Sequence, residues 1–262
     1  MTVESRIELR RPQVLILVAL AGLTVLAWAG VAWQSSQMGG MGGLTMGMTA
    51  GLFVVTWTVM MAAMMFPSSA PMILMFAQIS RGRQARGESF VPTWVFVAAY
   101  LLIWVAFGVV AYGAALVVEA IGGGNSWFMA NGARMAGGVL IAAGVYQLTP
   151  LKHACLAACR SPLGFILTSW RSGYAGAFRM GLEHGLLCAG CCWLLFVILF
   201  PLGMANIGIL AAVTVFIFAE KVLPWGREIS FAAAAVLIGY GVLVVFDPAA
   251  FPGMAMNSSP GM

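Results

Sequence analysis

Charge is nearly absent from this sequence: Asp, Glu, Lys and Arg together make up 8% of its 262 residues. A soluble domain carries about a quarter charged residues, so this chain lacks the polar surface that water would require. The shortage excludes a soluble enzyme and leaves lipid or other helices as the partner of most of its surface. Histidine is scarcer still, with two residues, which excludes a bis-histidine haem alongside any second histidine-ligated centre. There is no Walker A loop, dinucleotide fingerprint, His-Glu-x-x-His or nucleophile elbow. The basic residues are scattered, with no run dense enough to track phosphates, so the net charge of +5 does not point to nucleic acid. No internal repeat supports an inverted-repeat transporter.

What the chain has is apolar length. Hydrophobic residues make up 62%, and they fall into seven runs: Val14–Trp33, Ala50–Gln78, Val91–Val118, Phe128–Leu148, Ala175–Phe200, Asn206–Leu223 and Ile229–Phe246. Helices of about 20 residues span a bilayer, so these runs predict an all-α polytopic bundle, one integral membrane domain over residues 1–262. The first run continues through Ala27–Gly30 without a polar break. It reads as a retained helix rather than a cleaved signal peptide. Between the fourth and fifth runs, residues 149–174 are too polar to span, and Leu163–Trp170 suits the membrane interface. An N-terminus placed inside puts twelve of the 13 Lys and Arg residues on the cytoplasmic side, with Arg134 alone outside. The positive-inside rule therefore predicts N-terminus in, C-terminus out and a multi-pass protein of the inner membrane.

The chemistry is concentrated. Both histidines and all five cysteines lie between His153 and Cys192. One group is His153, Cys155 and Cys159 in the inner segment; the other is His184, Cys188, Cys191 and Cys192 on the fifth run. At 100° per residue the second group shares one helix face. Thiolate and imidazole together suit copper(I), zinc or iron and suit hard cations poorly. The bland alternative is that these thiols are small packing residues. Cys155 and Cys159 share a face if their segment is helical, and His153 joins them only through a bend. Because one helix face reaches a metal from one side only, the two groups are expected to form one site, with Pro162 turning the chain back; two separate sites are the alternative.

Methionine supplies a second candidate metal path. Met60, Met61, Met64 and Met65, with Met72 and Met75, form a stripe on the second run around Pro67 and Pro71, and Met38, Met41, Met46 and Met48 sit in a glycine-rich first loop. Met254, Met256 and Met262 follow in the C-terminal tail. Thioethers hold copper(I) without deprotonation and outlast free thiols in an oxidising compartment. Methionine is also an ordinary core filler, but exposed loop methionines have no core to fill. Glu119, Glu183, Glu220 and Lys221 read as helix-end residues reaching the interface, with Glu220 and Lys221 pairing with each other or with Arg227.

Four stretches carry a resemblance to a known family: MMAAMMFPSSAP at 60–71, YQLTPLKHAC at 146–155, GLEHGLLCAGCCW at 181–193 and AEKVLPWG at 219–226. The chain resembles the predicted metal-binding integral membrane proteins of bacteria. That resemblance implies copper as the metal, delivery to a secreted or membrane copper oxidase such as a tyrosinase, and His153, Cys155, Cys159, His184, Cys188, Cys191 and Cys192 as metal residues. Two other readings stand beside it. Cys188-x-x-Cys191 is also a redox spacing, giving a membrane thiol oxidoreductase. The third is an accessory subunit of a larger copper oxidase.

Overall fold

Apolar runs that must satisfy their backbone hydrogen bonds without water have one local solution, the helix. The computed structural model describes residues 11–37, 43–87 and 91–251, and among these it contains helices and turns but no strand. In chain order the helices are α1 (Arg11–Gln37), α2 (Ala50–Gln84), α3 (Thr93–Gly122), α4 (Ser126–Gln147), α5 (Pro150–Cys159), α6 (Pro162–Ser169), α7 (Gly173–Val197), α8 (Leu199–Leu202), α9 (Ile207–Val222) and α10 (Gly226–Phe246). Six among the described residues are long and apolar enough to cross a membrane: α1, α2, α3, α4, α7 continued through α8, and α10.

The sixth run, Asn206–Leu223, differs from expectation. α9 has 16 residues, about 24 Å of helix, less than a bilayer core of about 30 Å. It stops at Leu223-Pro224, where Arg160 caps it: the guanidinium donates to the carbonyl oxygens of Glu220 (3.2 Å), Leu223 (2.6 Å) and Pro224 (3.0 Å). The last carbonyls of a helix need such donors where no further turn supplies them. Arg160 lies in the turn between α5 and α6, just before Pro162 opens α6, and it reaches the end of α9, where Leu223 and Trp225 are exposed.

The long helices alternate in direction along the chain. Gln34 meets Thr56 across α1 and α2, and Ser69 meets Tyr100 across α2 and α3. Gly181 and Gly185 of α7 lie on Phe96 and Tyr100 of α3, so those two helices run parallel. Close approach explains these glycines, since a Cβ at Gly181 would sit 2.4 Å from the Phe96 carbonyl oxygen. The α4–α10 pair is equally tight, with Gly137 and Gly241 each facing the other's carbonyl oxygen. Such small-residue contacts are how helices associate where lipid removes the hydrophobic driving force.

This alternation gathers the loops at two ends. One end holds the 43–49 loop, the α3–α4 turn and the 203–206 turn. The other is basic: Arg83 lies over the Trp170 ring at 4.8 Å, and Arg227 over Phe231 at 5.5 Å.

α2 runs unbroken through both prolines. Pro67 cannot donate to the Ala63 carbonyl, and the Trp28 indole N–H takes that acceptor at 3.1 Å. The Ser68 hydroxyl donates to Met65 O at 3.0 Å, so the opened helix is restitched by neighbours.

Candidate metal centre

Helical spacing puts His184, Cys188, Cys191 and Cys192 on the inward face of α7, and all four are buried. Cys188, fully inaccessible, is the hub. Lys221 Nζ, from the end of α9, donates to its sulfur at 2.9 Å. The Tyr100 hydroxyl of α3 lies 3.2 Å from the same sulfur and accepts from the Ser69 hydroxyl at 3.0 Å. Lys221 also reaches Ser68 Oγ at 3.5 Å. Four helices thus converge on one thiol. The Cys191 and Cys192 thiols both donate to the Cys188 carbonyl oxygen, at 3.0 and 2.8 Å.

α5 brings the second group. Thr149 caps its N-terminus and Pro150 opens it, a standard helix start. Cys155 and Cys159, one turn apart, face α7. Cys159 lies beside the Cys188 and Cys191 thiols, and their proximity, followed by burial, pushes its own thiol up from its ordinary pKa. Cys155 packs on Gly190, where a Cβ would meet its sulfur at 2.8 Å. All five cysteines are free thiols.

The two histidines behave differently. His184 is 2% exposed, lies among the rings of Phe96, Tyr100 and Phe165, and neither ring nitrogen has a hydrogen-bond partner. An unpartnered buried imidazole costs about 1–3 kcal/mol per lost bond unless something else occupies it. His153 does not join the thiols. The straight course of α5 turns it toward Phe231 of α10. There burial and the positive charges of Arg227 and Lys152 lower its pKa.

Beside the thiols lies a buried charge network that sequence reasoning placed at the interface. Glu220 and Lys221 do not snorkel or pair with each other, because consecutive helix positions point about 100° apart. Lys221 goes to Cys188. Glu220 accepts from Lys152 Nζ at 2.7 and 2.9 Å and from the Ser230 hydroxyl, while Lys152 also donates to Gln147. Lys152 and Glu220 are 0% and 1% exposed. The pair ties α5 to α9 and α10. Glu183, by contrast, holds Arg179 at 3.0 Å near the basic end. Glu119 caps the first loop, accepting from Thr45 N at 2.8 Å.

The methionines divide. Met60, Met61, Met64, Met65 and Met72 are buried along α2. Met48 was expected to be an exposed loop residue and is buried: its sulfur accepts from Gln34 Nε2 (3.6 Å) and Thr56 Oγ1 (3.8 Å), so it fills a small core. Met46 is half-buried. Met38, Met41, Met254, Met256 and Met262 lie outside the described residues.

Among the described residues no three His, Cys, Asp or Glu side chains are disposed around a common point as a finished metal shell. The reason is visible in the contacts: two thiols are turned onto a carbonyl and an ammonium sits on the third. The donor chemistry nonetheless fits a soft cation, since several sulfurs and an unpartnered imidazole lie on two elements facing each other. Tyr100 and Ser69 carried no signal in the sequence for this site. Lys221 reads from sequence as an interfacial residue, although a charge within a membrane bundle is itself a signal for a site.

No curated protein and no solved structure matches the chain. The model of a copper chaperone family, PpoB2, matches residues 54–244, a stretch that takes in α5, α7, α9 and nearly all of α2. The chain belongs to this copper chaperone family.

Proposed function

We propose that the protein carries copper(I) across or within the inner membrane of a bacterium and delivers it to an exported or membrane copper-dependent oxidase. The observation that carries this reading is the meeting of Cys159 from α5 with Cys188 and Cys191 from α7, beside the unpartnered His184. A rigid helix presents ligands from one side, so a trigonal or tetrahedral ion needs a donor from a second element. α5 supplies it.

Loading requires small motions. Cys191 and Cys192 rotate off the Cys188 carbonyl, and the Lys221 ammonium yields its place on the Cys188 sulfur, with Ser68 Oγ as its next acceptor. The Lys221 ammonium stays buried beside the site, so entry of one copper(I) cation is balanced by the loss of one thiol proton to water. A divalent ion requires the loss of two, which favours copper(I) over zinc or iron(II). The positive-inside rule assigns the basic end to the cytoplasm, so copper enters there and moves along the α2 thioethers toward the opposite face.

Anaerobic titration of the full-length protein in detergent with copper(I), against a competing chromophoric chelator, tests the reading. The wild type is expected to take up copper at the thiols. Converting Cys188, Cys191 and Cys192 to Ser is expected to abolish that tight binding while the helical content stays unchanged. Equal copper stoichiometry and affinity in the triple variant would remove α7 as the binding element.

A further inference from the structure

Three methionines from three separate segments line one cavity at the loop end of the bundle: Met46 from the 43–49 loop, Met60 from α2 and Met204 from the turn before α9. The cavity is about 20 Å³, room for one water-sized guest. No charged side chain lines it. The geometry points to a second metal site here, a thioether site for a single copper(I) ion formed by Met46, Met60 and Met204. The identity of the cargo rests on the copper-carrying reading above.

The segments bearing these side chains are each tied down. Thr45 is held by Glu119 through its amide (2.8 Å) and hydroxyl (3.1 Å). Gly43 makes room for that carboxylate: its φ is +93°, and a Cβ there would sit 2.8 Å from Glu119 Oε1. Met46 itself adopts φ +51°, a left-handed conformation that is unfavourable for a non-glycine residue and persists only where its surroundings impose it. The Ser35 hydroxyl donates to the Ala205 carbonyl oxygen, fastening the Met204 turn to α1. Three thioethers are thus presented on backbone that cannot drift apart.

The lining also selects. The nearby oxygens are already engaged, Thr56 with Gln34 and Met48 and Ser35 with Ala205, so a hard cation finds few free ligands. Thioethers are neutral and soft, which suits a monovalent soft ion and disfavours a divalent one. The Glu119 carboxylate, one residue from Met46 through its bonds to Thr45, adds a favourable field without entering the shell. Met60 is eight residues from Ser68, about 12 Å along α2, and Met61, Met64 and Met65 are buried between them. A thioether site binds more weakly than thiolates, so this end of the ladder is placed for release.

Full-length protein labelled with ¹³C at the methionine methyls, titrated in detergent with silver(I) as a redox-inert mimic, tests the site. After the thiols fill, the next equivalent is expected to shift the Met46, Met60 and Met204 methyl resonances together. Met204→Leu is expected to weaken that phase by at least about tenfold and to leave the thiol phase unchanged. Resonances of the three that stay fixed through excess silver(I), or a Met204→Leu titration that superimposes on the wild type, would overturn the proposal. The two phases are read separately: a missing thiol phase counts against the thiol reading, and a missing methyl phase against this site.

Discussion

Replacing Lys152 with methionine is expected to be among the most damaging single changes to the fold, lowering stability by about 3–5 kcal/mol. The side chain is wholly buried and its ammonium is the charge partner of Glu220. Without it, a carboxylate is left in a membrane bundle with only the Ser230 hydroxyl for support. The cost comes from the stranded charge more than from the lost attraction, so a second change should relieve it. The pair Lys152→Met with Glu220→Met is expected to recover most of the loss, because Ser230 can still donate to Gly226 O at 3.2 Å. Thermal unfolding in detergent of the wild type, the single variant and the double variant provides the check. A double variant no more stable than the single would mean that the ion pair is not what fastens α5 to α9.

Cys159→Ser is expected to weaken copper(I) binding by roughly two to three orders of magnitude, the loss of one thiolate from a shell of a few. The argument is geometric. Cys188, Cys191 and Cys192 lie on one face of α7, and Cys159 is the thiol that reaches Cys188 and Cys191 from another element. Cys155 sits on Gly190, which points about 160° away from Cys188 around α7, so Cys155→Ser is expected to cost about tenfold or less. Competition titrations of the two variants separate a shared site from one confined to α7. Equal losses, or none, would contradict the shared site.

The helices were legible because lipid allows few alternatives: long apolar runs with little charge have to become spans. The thiol-bearing face of α7 followed from its spacing, and Pro162 marked the turn that separates α5 from α6. His153 was grouped with Cys155 and Cys159 by proximity in sequence, but a straight α5 turns it toward α10. Glu220 and Lys221 were read as interfacial because they sit at the end of an apolar run. That run proved short, its Glu220 and Lys221 face inward, and Arg160, about 60 residues earlier in the chain, caps its end. Such a cap leaves no local mark. Tyr100 and Met204 likewise look like ordinary residues of their segments, and only tertiary packing brings them to a site.

X-ray absorption of the copper(I)-loaded full-length protein addresses the central claim most directly, because it reports the atoms bound to the metal. A first shell dominated by sulfur, losing one sulfur scatterer in Cys159→Ser, is the result expected of a site shared between α5 and α7. A shell of nitrogen and oxygen alone, or a sulfur shell unchanged in both Cys159→Ser and the α7 triple variant, would contradict it.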